Sequence, residues 1–216
     1  SRLYKAAELL EVQLGRDAEA VTRYREILAL QPDYLPAQKA LVRIFERTGR
    51  WDELVEVYEQ DVAHTKNRDQ IVSVLGHIAS IYEERTQDLE KAAATLTRIL
   101  DMVPDHLPSL RALARLCERT GKWEELIRIN DAESGLAADA KEMISLLHSN
   151  AEICEEKLKD KPRAIEMYQK VLGLSASYLP ALKALGRLYA QSGRWSELVE
   201  MYRQEAEITP SPEQAA

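Results

Sequence analysis

The residue types that could do chemistry are few in this chain, and they do not cluster. The four histidines are His64, His77, His106 and His148. None of them has a Cys, His, Asp or Glu partner at a spacing typical of metal ligands. There is no glycine-rich phosphate loop and no nucleophile elbow. Adjacent glutamates would point about 100° apart on a helix, which is typical of solvated surface. We therefore predict no catalytic residue, no cofactor-binding residue and no metal site, and we expect that the chain is not an enzyme.

The two cysteines, Cys117 and Cys154, are too few for a disulfide framework. A regulatory thiol pair is the alternative interpretation. In the repeat described below, however, they occupy equivalent positions in neighbouring units. Such positions should lie farther apart than the Cα separation of about 7 Å that a disulfide allows. We interpret both as small core residues.

Basic residues recur at a spacing of four, which keeps each set on one face of a helix. The basic positions are Lys39, Arg43 and Arg47, then Arg111, Arg115 and Arg119, then Lys183 and Arg187. Acidic residues occupy the corresponding faces of the alternate units: Glu8 and Glu11, Glu83 and Glu84, and Glu152, Glu155 and Glu156. These faces could pair with each other, each exposed ion pair contributing about 0–1 kcal/mol. Alternatively, the basic faces bind an acidic ligand. The two interpretations are compatible, since an arginine can exchange an internal carboxylate for an incoming one.

The three tryptophans of the chain define its period. Trp51, Trp123 and Trp195 are evenly spaced, and each directly follows a Gly-Arg or Gly-Lys pair. The same interval relates the Leu-Pro pairs that begin at Leu35, Leu107 and Leu179. We call this interval the tryptophan period. A constant period without insertion is typical of a repeat solenoid, in which each unit buries its apolar face against its neighbours.

Composition excludes several classes of protein. The 216 residues include few glycines and prolines, eight of each, and are rich in helix-forming types, which predicts an all-helical fold. A net charge of −7 argues against general nucleic-acid binding. No apolar run approaches the roughly 18 residues that a membrane span needs. We expect a soluble chain without membrane insertion, favour the cytoplasm, and leave the compartment open.

Periodicity and breakers together predict twelve helices in six hairpins joined by short turns, two hairpins to each tryptophan period. Glycines such as Gly49 should end helices in the left-handed conformation. The predicted helices lie near 2–14, 17–30, 34–48, 51–64, 68–86, 88–103, 106–120, 123–136, 139–158, 161–174, 178–192 and 195–208.

The repeated residues resemble the tetratricopeptide repeat, whose units carry small, aromatic, Gly and Pro residues at fixed offsets. The residues that match are Leu41, Phe45, Gly49 and Tyr58, then Ala79, Tyr82, Ala92 and Pro104, then Leu185, Gly186, Tyr189, Gly193 and Tyr202. The resemblance implies a right-handed α-solenoid of about six hairpins, with the first helix of each hairpin on a concave face. The alternate units depart from the pattern by one extra residue before their second helix.

The resemblance implies a protein–protein interaction scaffold. Its concave groove would bind a protein or peptide segment, with the basic residues as the partner-binding positions and acidic residues in the ligand. The alternative is a regulatory or sensor segment of a larger enzyme or effector protein. A helical-repeat RNA binder is disfavoured by the net acidity. The oligomeric state stays open. Each tryptophan begins a second helix, so we expect it to pack across the junction between hairpins rather than to meet a groove ligand.

The ends of the chain carry two further expectations. Residues 1–210 should form a single array, with 211–216 a tail or the start of another repeat. We expect this chain to be a fragment of a longer repeat protein, so the last helix should leave apolar residues such as Leu198 and Met201 partly exposed, or buried by another molecule.

Overall fold

The structure is a computed structural model that describes residues 2–208. Within this range the chain forms twelve α-helices and no strand. The first six are α1 (Arg2–Val12), α2 (Asp17–Leu30), α3 (Leu35–Thr48), α4 (Trp51–His64), α5 (Arg68–Ser80) and α6 (Leu89–Met102). The others are α7 (Leu107–Thr120), α8 (Trp123–Ser134), α9 (Ala140–Glu152), α10 (Lys161–Leu174), α11 (Leu179–Gln191) and α12 (Trp195–Ile208). Helices α5 and α9 continue into π-helical segments, Ile81–Thr86 and Ile153–Lys157.

Consecutive helices pack as six hairpins, which confirms the predicted all-α repeat fold. The hairpins form two compact units, α1–α6 ending at Pro104 and α7–α12 beginning at Asp105. A single array over residues 1–210 and its right-handed superhelical path stay predictions. Residues 211–216 lie outside the described part of the chain. No helix among the described residues is both long enough and apolar enough to span a bilayer.

The core of each hairpin lies between its two helices. Ala20, Ala92 and Ala164 are completely buried at equivalent positions of α2, α6 and α10, where a small side chain lets the paired helices approach closely. Cys117 and Cys154 are also buried and form no disulfide, as expected for small core residues. Burial raises the pKa of both thiols, which keeps them protonated and unreactive.

Each tryptophan-containing hairpin turns through a left-handed glycine. Gly49, Gly121 and Gly193 have φ values of 69°, 70° and 68°, as the sequence predicts. The backbone N–H that follows each glycine donates to a carbonyl five residues earlier, for example from Arg50 to Phe45 at 2.9 Å. This bond closes the end of the first helix.

The extra residue of the alternate hairpins α5–α6 and α9–α10 is absorbed by a π-helical segment. The closing bond there spans six residues instead of five: Asp88 donates to Tyr82 and Asp160 to Cys154, both at 2.9 Å. In α1 the equivalent bond runs from Arg16 to Leu10 at 2.8 Å. The acceptors occupy the same repeat position as Phe45. One added residue therefore changes the helix end without shifting the packing of the hairpin.

The residue before this closing bond has a left-handed backbone in all three copies. It is Gly15 in the first copy but Gln87 (φ 57°) and Lys159 (φ 58°) in the others. Side chains at such positions cost roughly 1–2 kcal/mol. We expect Lys159→Gly to raise the free energy of unfolding by about 1 kcal/mol, because Lys159 is exposed and only strain is removed.

Chemical denaturation measures this change. Gly15→Lys is the converse variant, and its free energy of unfolding should fall by a similar amount. A Lys159→Gly protein no more stable than the parent would contradict the assignment of strain.

The last helix differs from expectation in which residues it exposes. Leu198 and Met201 are buried, so the expectation that they are partly exposed is wrong. They face α11 of their own hairpin, where Leu198 lies close to Gly186. The exposed apolar residues of α12 are instead Trp195, Val199 and Tyr202.

Candidate partner-binding surfaces

Arg43, in the first helix of its hairpin, lies over a buried carboxylate. Its Nε and Nη2 donate to the two carboxylate oxygens of Glu11 at 2.9 and 2.7 Å. The Tyr24 hydroxyl donates to the same carboxylate at 3.0 Å. Glu11 is buried, while more than half of the Arg43 side chain is exposed. Hydrogen bonding to Glu11 raises the pKa of Arg43, and burial together with the Glu11 carboxylate raises the pKa of Tyr24.

The same three-residue cluster returns in the second unit, two tryptophan periods later. Arg187 Nη2 donates to Glu155 Oε1 at 2.8 Å, and the Tyr168 hydroxyl donates to Oε2 at 3.2 Å. Burial is the main cause that raises the pKa of Tyr168, and the Glu155 carboxylate raises it further. The predicted pairing of acidic with basic faces is therefore present in both units. We call each set an Arg–Glu–Tyr cluster.

Two more of the predicted basic residues have partners that the sequence did not indicate. Arg47 donates to Asp17 at 2.9 Å. Arg111 donates to Glu133 at 2.6 Å and to Glu142 at 2.7 Å. Glu133 is buried, although the family pattern places an alanine there. That mismatch was the available signal for a structural carboxylate.

The remaining predicted positions are Lys39, Arg115, Arg119 and Lys183, and all four are exposed. Lys39 and Lys183 form no ion pair with another residue of the described chain. The eight predicted positions therefore differ in their partners. Arg43, Arg47, Arg111 and Arg187 donate to the carboxylates named above, whereas Lys39 and Lys183 have no ion-pair partner in the described chain. A paired guanidinium still presents unused N–H donors to solvent, because it has five and a bidentate carboxylate takes two.

Each unit has a cleft that is lined in part by a tryptophan. Cleft 1, of about 480 Å³, lies among α3, α4, α5 and the π-helical segment that follows α5. The residues that line it include Trp51, Leu54, Tyr58, His77, Ile81, Glu84 and Arg85. Cleft 2, of about 710 Å³, lies among α7, α8, α9 and the π-helical segment that follows α9. The residues that line it include Arg111, Arg115, Trp123, Leu126, Asn130, Ser149, Ile153, Glu156 and Lys157. Most of these positions correspond between the clefts at the tryptophan period. The repeat therefore builds one kind of cleft twice.

The tryptophans pack across the hairpin junction, as predicted, but they also line the clefts. The Arg85 guanidinium lies 5.2 Å from the Trp51 ring, and the Lys157 ammonium lies 5.3 Å from the Trp123 ring. Both rings are only half-buried. The expectation that these residues are poorly placed for a groove ligand is therefore wrong for Trp51 and Trp123. Trp195 departs further, because its ring is largely exposed.

A buried polar network lies beneath cleft 2. Asn130 Nδ2 donates to Asn150 Oδ1 at 2.8 Å, and Asn150 Nδ2 donates to Asp131 Oδ1 at 2.8 Å. The Asn150 amide also donates to the Ile127 carbonyl at 3.4 Å. In the α4–α5 junction the two Asn positions are Tyr58 and Ile78. The hydrogen bonds of this network join α9 to α8.

Sequence models of the tetratricopeptide repeat match residues 39–70, 109–140 and 181–216, and a second model of this repeat matches residues 3–34. Together these segments cover more than half of the chain. The chain belongs to the tetratricopeptide repeat family. Tetratricopeptide repeats generally bind protein partners and are typically non-catalytic.

A curated relative is the DnaJ homolog subfamily C member 7 homolog of Schizosaccharomyces pombe, 26% identical over 176 residues. The match covers 74% of this chain, which spans about a third (35%) of that protein. Two solved structures are similar. One contains putative kinesin light chain repeats of Podosopora anserina (20% identity, 82% and 96% coverage, TM-score 0.45), and the other is MamA AMB-1 (19% identity, 79% and 90% coverage, TM-score 0.47). Global similarity at this level carries no information about partners.

Proposed function

We propose that this repeat segment is a protein–protein interaction scaffold whose basic faces and tryptophan-lined clefts bind an acidic, partly apolar protein segment. The observation that carries the proposal is cleft 2, whose lining includes Arg111, Arg115 and Trp123. Cationic and aromatic groups at one cleft suit a ligand that alternates carboxylates with apolar side chains. The proposed partner-binding positions are Lys39, Arg43, Arg47, Arg111, Arg115, Arg119, Lys183 and Arg187.

Recurrence of the cleft supports a long ligand rather than a small one. Each unit has its own cleft and its own Arg–Glu–Tyr cluster. Several weak contacts made by one chain add to a useful affinity when the spacing allows them to form together. Arginine also grips carboxylates with two parallel hydrogen bonds, which lysine cannot reproduce.

Fluorescence anisotropy tests the proposal with two labelled peptides of about 20 residues, long enough to form a helix. One alternates glutamates with leucines at helical spacing, and the other has lysine in place of each glutamate. We expect the acidic peptide to bind more tightly. Its affinity should fall as salt rises from about 0.1 M to about 1 M, because the Debye length falls from about 10 Å to about 3 Å.

Charge reversal at the basic face provides the decisive comparison. Arg115→Glu combined with Arg119→Glu should weaken binding of the acidic peptide by about tenfold, since two attractive contacts become repulsive. Arg128→Glu combined with Lys161→Glu makes the same change in net charge at exposed positions outside the basic face. Circular dichroism checks that both variants remain helical. Equal affinity in the two double variants, or no preference for the acidic peptide, would reject the proposal.

A further inference from the structure

We propose that cleft 2 selects one uncharged carboxamide side chain, Gln or Asn, in the protein segment that the basic faces bind. This selectivity rests on the proposed function, because it concerns the residue of the bound segment that enters the cleft. Three groups that line the cleft carry the proposal. They are the Asn130 amide oxygen, the Ser149 hydroxyl and the Glu133 carboxylate.

The hydrogen bonds beneath the cleft fix the orientation of the Asn130 amide. The Ile127 carbonyl and the Asp131 carboxylate can only accept, so Asn150 must turn its NH2 group toward them. The oxygen of Asn150 is then left to face Asn130, whose own NH2 group donates to it at 2.8 Å. The amide oxygen of Asn130 therefore stays outside this network.

The Asn130 oxygen is an acceptor that a ligand can reach through cleft 2. It accepts no hydrogen bond from residues 2–208, and no side-chain oxygen or nitrogen of these residues that is closed to solvent lacks a partner. The oxygen must therefore be accessible, although Asn130 as a whole is only 6% exposed and lines cleft 2. A ligand that covers this oxygen without donating to it leaves a desolvated acceptor unpaired, which is costly.

The other two groups narrow the chemistry of the ligand. The Ser149 hydroxyl is half-buried on α9 and makes no hydrogen bond with the described residues. A carboxamide carries donors and an acceptor on one planar group, so it can donate to Asn130 and accept from Ser149. An inserted carboxylate would have no donor for Asn130 and would meet the Glu133 carboxylate, which is buried in the same cleft. The acidic residues of the segment are therefore expected on the basic face, with an uncharged side chain in the cleft.

Cleft 1 does not share this chemistry. The positions of Asn130 and Ser149 are occupied there by Tyr58 and His77, whose rings stack with centroids 6.0 Å apart. Stacked rings offer a broad apolar surface in place of an amide oxygen and a hydroxyl. We therefore expect the preference for a carboxamide to belong to cleft 2 alone.

Fluorescence anisotropy tests the selectivity with the acidic peptide described above, in which one central leucine is changed to Gln, Met or Glu. The three side chains have similar lengths. Methionine has no hydrogen-bond donor and only a weak acceptor, and ionised glutamate has no donor. We expect the Gln peptide to bind about tenfold more tightly than either of the others, because it alone can satisfy both Asn130 and Ser149.

Ser149→Ala provides the test on the protein side. The preference for Gln over Met should fall to about threefold, since one of two hydrogen bonds is lost while Asn130 is unchanged. Ser80→Ala is the matched control, because Ser80 lines cleft 1, and this variant should keep the full preference. Circular dichroism checks that both variants remain helical.

Two results would overturn the proposal. One is equal affinity for the Gln and Met peptides while both still bind more tightly than the lysine peptide, which would reject the selectivity and leave the scaffold function standing. The other is a preference for Gln that Ser149→Ala leaves unchanged, which would place the carboxamide outside cleft 2. Loss of all preference for the acidic peptides over the lysine peptide would instead reject the proposed function, and the selectivity with it.

Discussion

Ile127→Ala is expected to lower the free energy of unfolding by about 3 kcal/mol, while Val199→Ala changes it by less than about 0.5 kcal/mol. The two residues occupy one repeat position, a single tryptophan period apart. Ile127 is fully buried beneath α9, so its truncation removes packed methylene groups and leaves a cavity. Val199 is exposed on α12, so its truncation removes few packing contacts.

Urea denaturation measures both values. The paired design nearly equalises the change in helix propensity, because each variant replaces a β-branched residue with alanine at the same place in a second helix. Similar losses in the two variants would show that Val199 is packed as tightly as Ile127. A loss below about 1 kcal/mol for Ile127→Ala would show that α9 does not pack on α8 as the structure describes.

Asn150→Ala is expected to cost about 2–3 kcal/mol, although it replaces a polar side chain with an apolar one. Asn150 is completely buried and is the centre of the network with Asn130 and Asp131. Its removal leaves the buried amide of Asn130 without its hydrogen-bond acceptor, and the desolvation of that amide is not recovered. Thermal unfolding should show the loss as a lower Tm.

A double-mutant cycle with Asn130→Ala identifies the network as the cause. Because Asn130 and Asn150 share one hydrogen bond, the double variant should lose less than the sum of the single variants by about 1 kcal/mol. Ser149→Ala, at the neighbouring position in α9, is the local control and should be close to neutral. Strict additivity of the two Asn variants would indicate that each matters only for packing volume.

The sequence predicted the fold because the signals that define a helical hairpin are local. Four of the predicted helices, 17–30, 51–64, 161–174 and 195–208, have the bounds that the structure shows. The extra residue of the alternate hairpins was visible in the register, but its form was not. A π-helical turn depends on which carbonyl captures the N–H of Asp88 or Asp160, and residue type alone does not decide that.

The candidate sites were predictable in part. Spacing of four placed the basic residues on one face, and the glutamate opposite Arg43 and Arg187 followed from the alternation of charge. The partners of Arg111 could not be predicted in this way, because Glu133 belongs to a second helix and Glu142 to the next hairpin. The buried pair Asn130 and Asn150 was not predicted, since its burial depends on pairing across two helices.

The Arg–Glu–Tyr clusters bear on how strongly an arginine can hold a ligand. A free arginine side chain gives up roughly 2 kcal/mol of rotamer entropy when it is fixed. Arg43 and Arg187 are already held by Glu11 and Glu155, so for the proposed acidic ligand much of that loss has occurred before the partner arrives. The same glutamates cancel the charge that would attract the ligand from a distance. At these two positions, recognition would therefore gain little association speed from charge and more residence time from rigidity.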